Sequence, residues 1–312
     1  MEGLLVIGDV VTDVVALHER PLATGTDTAA DIVLRPGGSG ANTASWAAVL
    51  GADTRFLGRA GYDTGDWHIA ELVKAGVRPH VRVDPDRPTA IVIAMVDATG
   101  ERSMLTNRGA GGHISVADWA TSLLDGVRHL HVSGYTLFAE PGLELARLAM
   151  REAAQRGVTV SVDPASTGPL RAFGVERFLS ETSPAGIVIP NLEEALVLTG
   201  QSVPEAAAEI LSARYGTAVV KLGSGGALLG VGGRVVDRAP AAAADLVDST
   251  GAGDAFAAGF LAALLAGISP AEALKKGCEA GAAAVSEVGG RPGAGNFTRL
   301  TPIARFQRKL PQ

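Results

Sequence analysis

The stretch Asp248-Ser249-Thr250-Gly251-Ala252-Gly253-Asp254-Ala255-Phe256 runs a glycine turn directly into the longest apolar run of the chain, the 14 residues from Ala255 to Ile268. That run is short of the ~20 residues needed to span a bilayer, so it reads as a buried helix. The first amides of such a helix, together with its dipole, form a preformed anion site. Asp254 in that first turn sets a carboxylate beside the anion, which would hinder simple phosphate storage. It suits a carboxylate that takes the proton from a hydroxyl attacking a phosphoryl group. An aspartate at its ordinary pKa of ~3.9 is ionised at neutral pH without special tuning. Locally the same letters also spell a helix cap and a turn, and the stretch alone leaves both open.

Outward from this helix, the chain alternates strand and helix patterns. Leu4-Leu5-Val6-Ile7 is a continuous apolar run of the kind buried on both faces of a parallel sheet. His129 to Ser133, Val158 to Val162, Gly186 to Ile189 and Ala218 to Leu222 look alike. Helical patterns lie between them: Asn42 to Leu50, Pro141 to Arg156, Asn191 to Thr199 and Val203 to Tyr215, then Gly253 to Ala266 and Pro270 to Ser286. The alternation predicts an α/β domain with a parallel sheet and helices on both faces. Asp31 to Leu34, and Val81 to Val83 with Thr89 to Val96 and Ser103 to Thr106, alternate apolar with polar instead. With a turn at Asp97-Ala98-Thr99-Gly100, they predict a small β flap on the main domain.

Composition narrows the class. The 312 residues are 47% hydrophobic and 19% charged, which excludes intrinsic disorder. Cys278 alone rules out a disulfide scaffold and suits a reducing cytoplasm. The opening Met1-Glu2-Gly3-Leu4 lacks a basic leader, so a cytoplasmic protein away from membranes is expected. A net charge of −6 with no basic cluster argues against nucleic acid as a partner.

Many of the 40 glycines cluster in four places: Gly37-Gly38-Ser39-Gly40, Gly109-Ala110-Gly111-Gly112, Gly223-Ser224-Gly225-Gly226 and Gly251-Ala252-Gly253. None completes the dinucleotide fingerprint, and no P-loop exists, so a dehydrogenase and a P-loop NTPase are both disfavoured. His129 and His131 alternate on a strand without metal-ligand spacing. Asn191 and Glu194, three apart at a strand end, suit a hydrated magnesium ion, and a capping box explains them equally well.

Taken in order and at these separations, Gly37-Gly38-Ser39-Gly40-Ala41-Asn42, Asn191-Leu192-Glu193-Glu194 and Asp248 through Phe260 resemble the ribokinase-like (PfkB) carbohydrate kinases over nearly the whole chain. The resemblance implies one domain over 1–312, a three-layer α/β sandwich with a mostly parallel sheet and a small β lid from roughly 11–36 and 79–108. It implies ATP-dependent phosphorylation of a hydroxymethyl group of a small sugar or sugar acid. Asp254 would be the base, and Gly251, Ala252 and Gly253 the anion hole. Asn191 and Glu194 would organise magnesium through water, with Gly223 and Gly226 beside the nucleotide. Lys221, where the family often has a small polar residue, would touch a phosphate or reach solvent. Asp248 and Thr250, with backbone groups near Ser286 and Gly289, match a potassium site.

On the sugar side the resemblance implies Asp13, Gly38, Ser39, Gly40 and Asn42. Val11, Ser39 and Tyr135 stand where ribokinases carry asparagine, lysine and a nearby glutamate, which points away from ribose. Arg108 resembles the arginine of fructokinase-like and ketodeoxygluconate-kinase-like members and would bind a carboxylate in a forked geometry. An exposed arginine at a strand end is the plainer alternative. A sugar-phosphate acceptor would draw on Arg35, Arg102 and Arg108. A nucleoside kinase is the runner-up, disfavoured by an aromatic content of 4%. A non-catalytic sugar-binding regulator would have no need of Asp254. Lid-to-lid packing in the family implies a homodimer, with Ile91, Ile93 and Met95 among the candidate contacts.

Overall fold

In the first strand, Leu5 and Ile7 join one buried apolar cluster while Leu4 and Val6 join another. Alternation of this kind means that both faces of the strand are covered. The computed structural model describes residues 3–98 and 102–293, with the Arg102 side chain outside that description. The strands are β1 (Gly3–Ile7), β2 (Val11–Leu17), β3 (Asp31–Gly37), β4 (Asp53–Gly61), β5 (Arg78–Asp84), β6 (Ala90–Val96) and β7 (Arg102–Asn107). They continue with β8 (Val127–Ser133), β9 (Thr159–Asp163), β10 (Ile187–Val188), β11 (Thr217–Lys221), β12 (Ala227–Val231) and β13 (Arg234–Ala239). Nine of them form one sheet in the order β13-β12-β11-β10-β9-β8-β1-β4-β5, parallel except for the antiparallel β11-β12-β13 edge. The helices Gly142–Gln155, Leu192–Thr199 and Pro204–Tyr215 cover one face; Ser39–Val49, Gly65–Lys74, Ala252–Leu265 and Pro270–Val285 cover the other. The result is the expected three-layer arrangement with a mostly parallel sheet.

The remaining four strands form a separate sheet, β3-β2-β6-β7, which is the flap read from the sequence. Two corrections apply. Val81 to Val83 does not belong to it: β5 pairs in parallel with β4 at the edge of the large sheet. An edge strand has one covered and one wet face, so its side chains alternate just as a flap strand's do. The strand β4 was not anticipated at all. Thr99 and Gly100 of the expected turn lie outside the described residues, although β6 and β7 pair antiparallel as that turn requires.

The helix Ala252–Leu265 is buried along most of its length, and Gly259 lets its neighbour close in: a β-carbon there would lie 2.7 Å from the Ala280 side chain. Among the described residues no helix is long and apolar enough to cross a membrane.

Candidate active site

Parallel strands deliver their following residues to one rim of the sheet, where α/β proteins place ligands. Here that rim carries Asp9 just past β1, Tyr135 just past β8, Asp163 ending β9, Asn191 beyond β10 and Lys221 ending β11. Two helix N-termini meet them. The helix from Ser39 begins three residues earlier than the sequence pattern suggests, because Gly38 (φ 98°) turns the chain sharply. The Asp9 carboxylate then accepts the amides of Ser39 (3.1 Å) and Gly40 (3.0 Å), capping the helix from another loop. Gly40 is required by contact, since a β-carbon would fall 2.5 Å from the Gly8 Cα.

The second helix starts after Gly251 (φ 74°), and a β-carbon on Gly251 would lie 2.5 Å from the Gly290 Cα. Asp254 in its first turn is held by the first helix: Ser39 Oγ donates to Oδ1 at 2.8 Å and Asn42 Nδ2 donates to Oδ2 at 2.9 Å. Burial pushes the Asp254 carboxyl up to about 7, against the lowering effect of those two hydrogen bonds. The ordinary pKa expected from the sequence is therefore corrected: this group is tuned, and to the range where a general base works best.

Lys221 does not reach solvent. Its side chain is 11% exposed, its Nζ lies 2.5 Å from Asp163 Oδ2, and a β-carbon on Gly253 would sit 3.3 Å from it. Burial works against the ammonium charge, but Asp163 and Glu194 hold its pKa above the usual lysine value. The cation thus sits over the first turn of the second helix, beside the amides of the Gly251–Gly253 turn.

Asn191 and Glu194 form the capping box: Asn191 Oδ1 accepts the Glu194 amide at 2.9 Å, and Glu194 accepts the Asn191 amide and Nδ2, both at 2.8 Å. Burial and the nearby Asp163 raise Glu194 to about 7. Asp248 gathers the potassium candidates, accepting Thr250 N (3.0 Å), Thr250 Oγ1 (2.7 Å) and Gly289 N (3.0 Å). The Ser286 hydroxyl donates to Ala282 O, and the backbone that meets the Asp248 loop is the Val285 carbonyl, which accepts the amides of Val247 and Asp248. Gly223 and Gly226 bound the turn after β11; a β-carbon on Gly226 would lie 2.0 Å from Ala239 O.

The flap forms the other wall. Asp13 on β2 lies against Gly37, opposite Arg35 across the strand pair. Burial and the charge of Asp9 raise Asp13 to about 7. Burial, then Asp9, pushes the Tyr135 phenol up to about 12. Arg108 Nη2 donates to Tyr135 O at 2.5 Å, and its positive charge offsets part of the burial cost of Asp9. The structure therefore brings Asp13, Gly38, Ser39, Gly40, Asn42, Arg108 and Tyr135 to the same side as Asp254. Sequence reasoning missed Asp9, Asp163 and Arg291; the first two carry a legible signal, an acid at or just past the end of a buried parallel strand.

A parallel sheet with a β flap thus places a buried aspartate between two helix N-termini, at the rim where α/β proteins bind ligands. The family model of the pfkB family carbohydrate kinases matches residues 1–294, and the chain belongs to that family. It is a sugar kinase by class. It is 28% identical to the 2-dehydro-3-deoxygluconokinase of Bacillus subtilis (strain 168) over 88% of each chain. It is 30% identical to the ATP-dependent ribose-1-phosphate kinase of Halopiger xanaduensis over 98% of each. The solved adenosine kinase from Sinorhizobium meliloti superposes with a TM-score of 0.85 at 26% identity, covering 98% of both chains.

Proposed function

We propose that the protein transfers the γ-phosphoryl group of ATP to a hydroxymethyl group of a small sugar or sugar acid, with a fructokinase-like or 2-keto-3-deoxygluconate-kinase-like acceptor favoured over ribose. The observation that carries this reading is Asp254: a carboxylate near neutrality, fixed by Ser39 and Asn42 at the start of a buried helix. Asp254 takes the proton of the acceptor hydroxyl as its oxygen bonds to phosphorus and the bond to the ADP oxygen breaks. The Gly251–Gly253 amides and Lys221 face the charge on the transferring group. Asp13, Asp9 and Asn42 suit sugar hydroxyls, and Arg108 suits a carboxylate. The flap closes over the acceptor and excludes water.

Among the described residues no cluster of three or more His, Cys, Asp or Glu gathers to hold a metal. A magnesium ion that keeps its waters and is held mainly by phosphates fits that donor set, with Glu194 and Asn191 as outer partners. When bound it neutralises phosphate charge. For potassium the proposed donors are the oxygens of Asp248 and Thr250 with the backbone carbonyls at Ser286 and Gly289.

The flap supports a homodimer. Leu34, Val14, Ile93 and Leu105 stand side by side across its strands on the face opposite Asp13, with Leu34 60% and Leu105 59% exposed. Apolar rows of this kind mark contact surfaces. A second reading, a nucleoside acceptor, rests on the likeness to the S. meliloti adenosine kinase.

The test is ADP release with magnesium-ATP and potassium over 2-dehydro-3-deoxy-D-gluconate, D-fructose, D-ribose and adenosine. Turnover of a sugar or sugar acid supports the proposal. Turnover of adenosine alone selects the second reading, and binding without turnover selects a regulator.

A further inference from the structure

Beyond the helix Pro270–Val285, Gly289-Gly290-Arg291 forms a strap that touches several parts of the site. The Gly289 amide donates to Asp248 at 3.0 Å. Gly290 lies under Gly251, accepts Trp46 Nε1 at 3.0 Å, and leaves no room for a side chain, since a β-carbon would fall 2.3 Å from Asn42 Nδ2. Arg291 is only 9% exposed, and its Nη2 donates to Gly37 O at 3.1 Å. Its Nε and Nη1 are buried without a hydrogen-bond partner. The charges around it are Glu71 of the helix Gly65–Lys74, Asp13 of the flap and Asp9 of the β1 loop.

A buried guanidinium with two bare donors is costly, and the surrounding carboxylates offset that cost only in part. The Gly37 carbonyl it grips is the point where β3 leaves the flap for the helix carrying Ser39 and Asn42. The Asp13 carboxylate stands against the same residue, where a β-carbon on Gly37 would lie 2.1 Å from its Oδ2. We propose that Arg291 is a positioning residue for the acceptor half of the site: it pins the flap hinge at Gly37 and sets its buried positive charge across that residue from the Asp13 carboxylate, which accepts the acceptor's hydroxyls. This inference rests on the kinase reading above and adds to it a residue outside the family signatures.

Arg291→Gln removes the charge and shortens the side chain so that it no longer spans to Gly37 O, and Arg291→Lys retains charge on a different donor. Steady-state kinetics on 2-dehydro-3-deoxy-D-gluconate, D-fructose and D-ribose should show KM of the accepted sugar raised about tenfold or more in R291Q, as expected for loss of a buried counter-charge, with KM for ATP within about twofold. R291K should recover most of that loss. An unchanged sugar KM in R291Q, an equal rise in both KM values, or a R291K as impaired as R291Q overturns the assignment. Amide hydrogen exchange provides a readout independent of turnover. In R291Q the Ser39 and Gly40 amides should exchange faster while the helix Pro204–Tyr215 does not. Unchanged exchange at Ser39 and Gly40 overturns the hinge role. If the wild type turns over none of the three sugars, the kinase reading fails while the exchange result still judges Arg291.

Discussion

Replacing Asp254 by asparagine should stabilise the protein at alkaline pH, and the size of the effect follows from the site. The folded-state pKa is raised from 3.8 to about 7, chiefly by burial. The folded chain therefore binds the proton more tightly than the unfolded one, and stability falls as pH rises from ~4, levelling off above ~7. At pH 5 roughly 1 of the roughly 3 pKa units has already been lost, so about 2 units remain between pH 5 and 8. At about 1.4 kcal/mol per unit the ceiling is about 3 kcal/mol. The carboxylate is only half-buried, so solvent screening brings the expectation to about 1–2 kcal/mol. Asparagine stays neutral throughout. Its advantage over aspartate should thus grow by that amount, or about 2–4 °C in Tm for a chain of this size. The assay is differential scanning calorimetry of both proteins at pH 5 and pH 8. A Tm difference that is the same at both pH values, or shrinks at pH 8, refutes the claim that burial tunes this group.

The pH profile of kcat/KM should carry the same signature. Asp254 must be ionised to accept a proton and Asp13 to accept hydroxyls, and both titrate at about 7. Activity is then lost as pH falls below ~7 with a limiting slope approaching two, and Asp13→Asn should reduce that slope to one. Ala165 has φ 67°, the left-handed region that disfavours a β-carbon, so Ala165→Gly should raise stability by about 1 kcal/mol with turnover unchanged, as read by thermal melts. If the proposed flap dimer is right, light scattering should find the wild type dimeric and Leu34→Asp with Leu105→Asp monomeric, with the flap still folded by circular dichroism.

What the sequence made legible follows from the range of each signal. The glycine turns into helices at Ser39 and Ala252 are local, and their letters carry the fold and mark the candidate base. The pairing of those turns is not local: Ser39 and Asn42 meet Asp254 across more than two hundred residues, so the letters alone give a substrate contact and not the two hydrogen bonds to Asp254. The Asp254 pKa depends on burial that no motif encodes. Lys221 was ambiguous because its answer lies in Asp163, which ends a different strand. The short β10, two residues long, was legible because its apolar neighbours are equally buried. By contrast β5 was assigned to the wrong sheet, because alternation reports one wet face and not which sheet supplies the other. Arg291 was invisible in sequence, since an arginine beside glycines reads as surface until its burial is seen.

The central claim is that Asp254 activates an acceptor hydroxyl toward ATP. Its most direct test is single-turnover phosphoryl transfer from radiolabelled ATP to the accepted sugar by wild type and Asp254→Asn, with ATP binding measured in parallel. The account predicts labelled sugar phosphate from the wild type. In the variant it predicts a rate lower by about 10²–10⁴-fold with ATP affinity retained. Transfer by Asp254→Asn at the wild-type rate would contradict it.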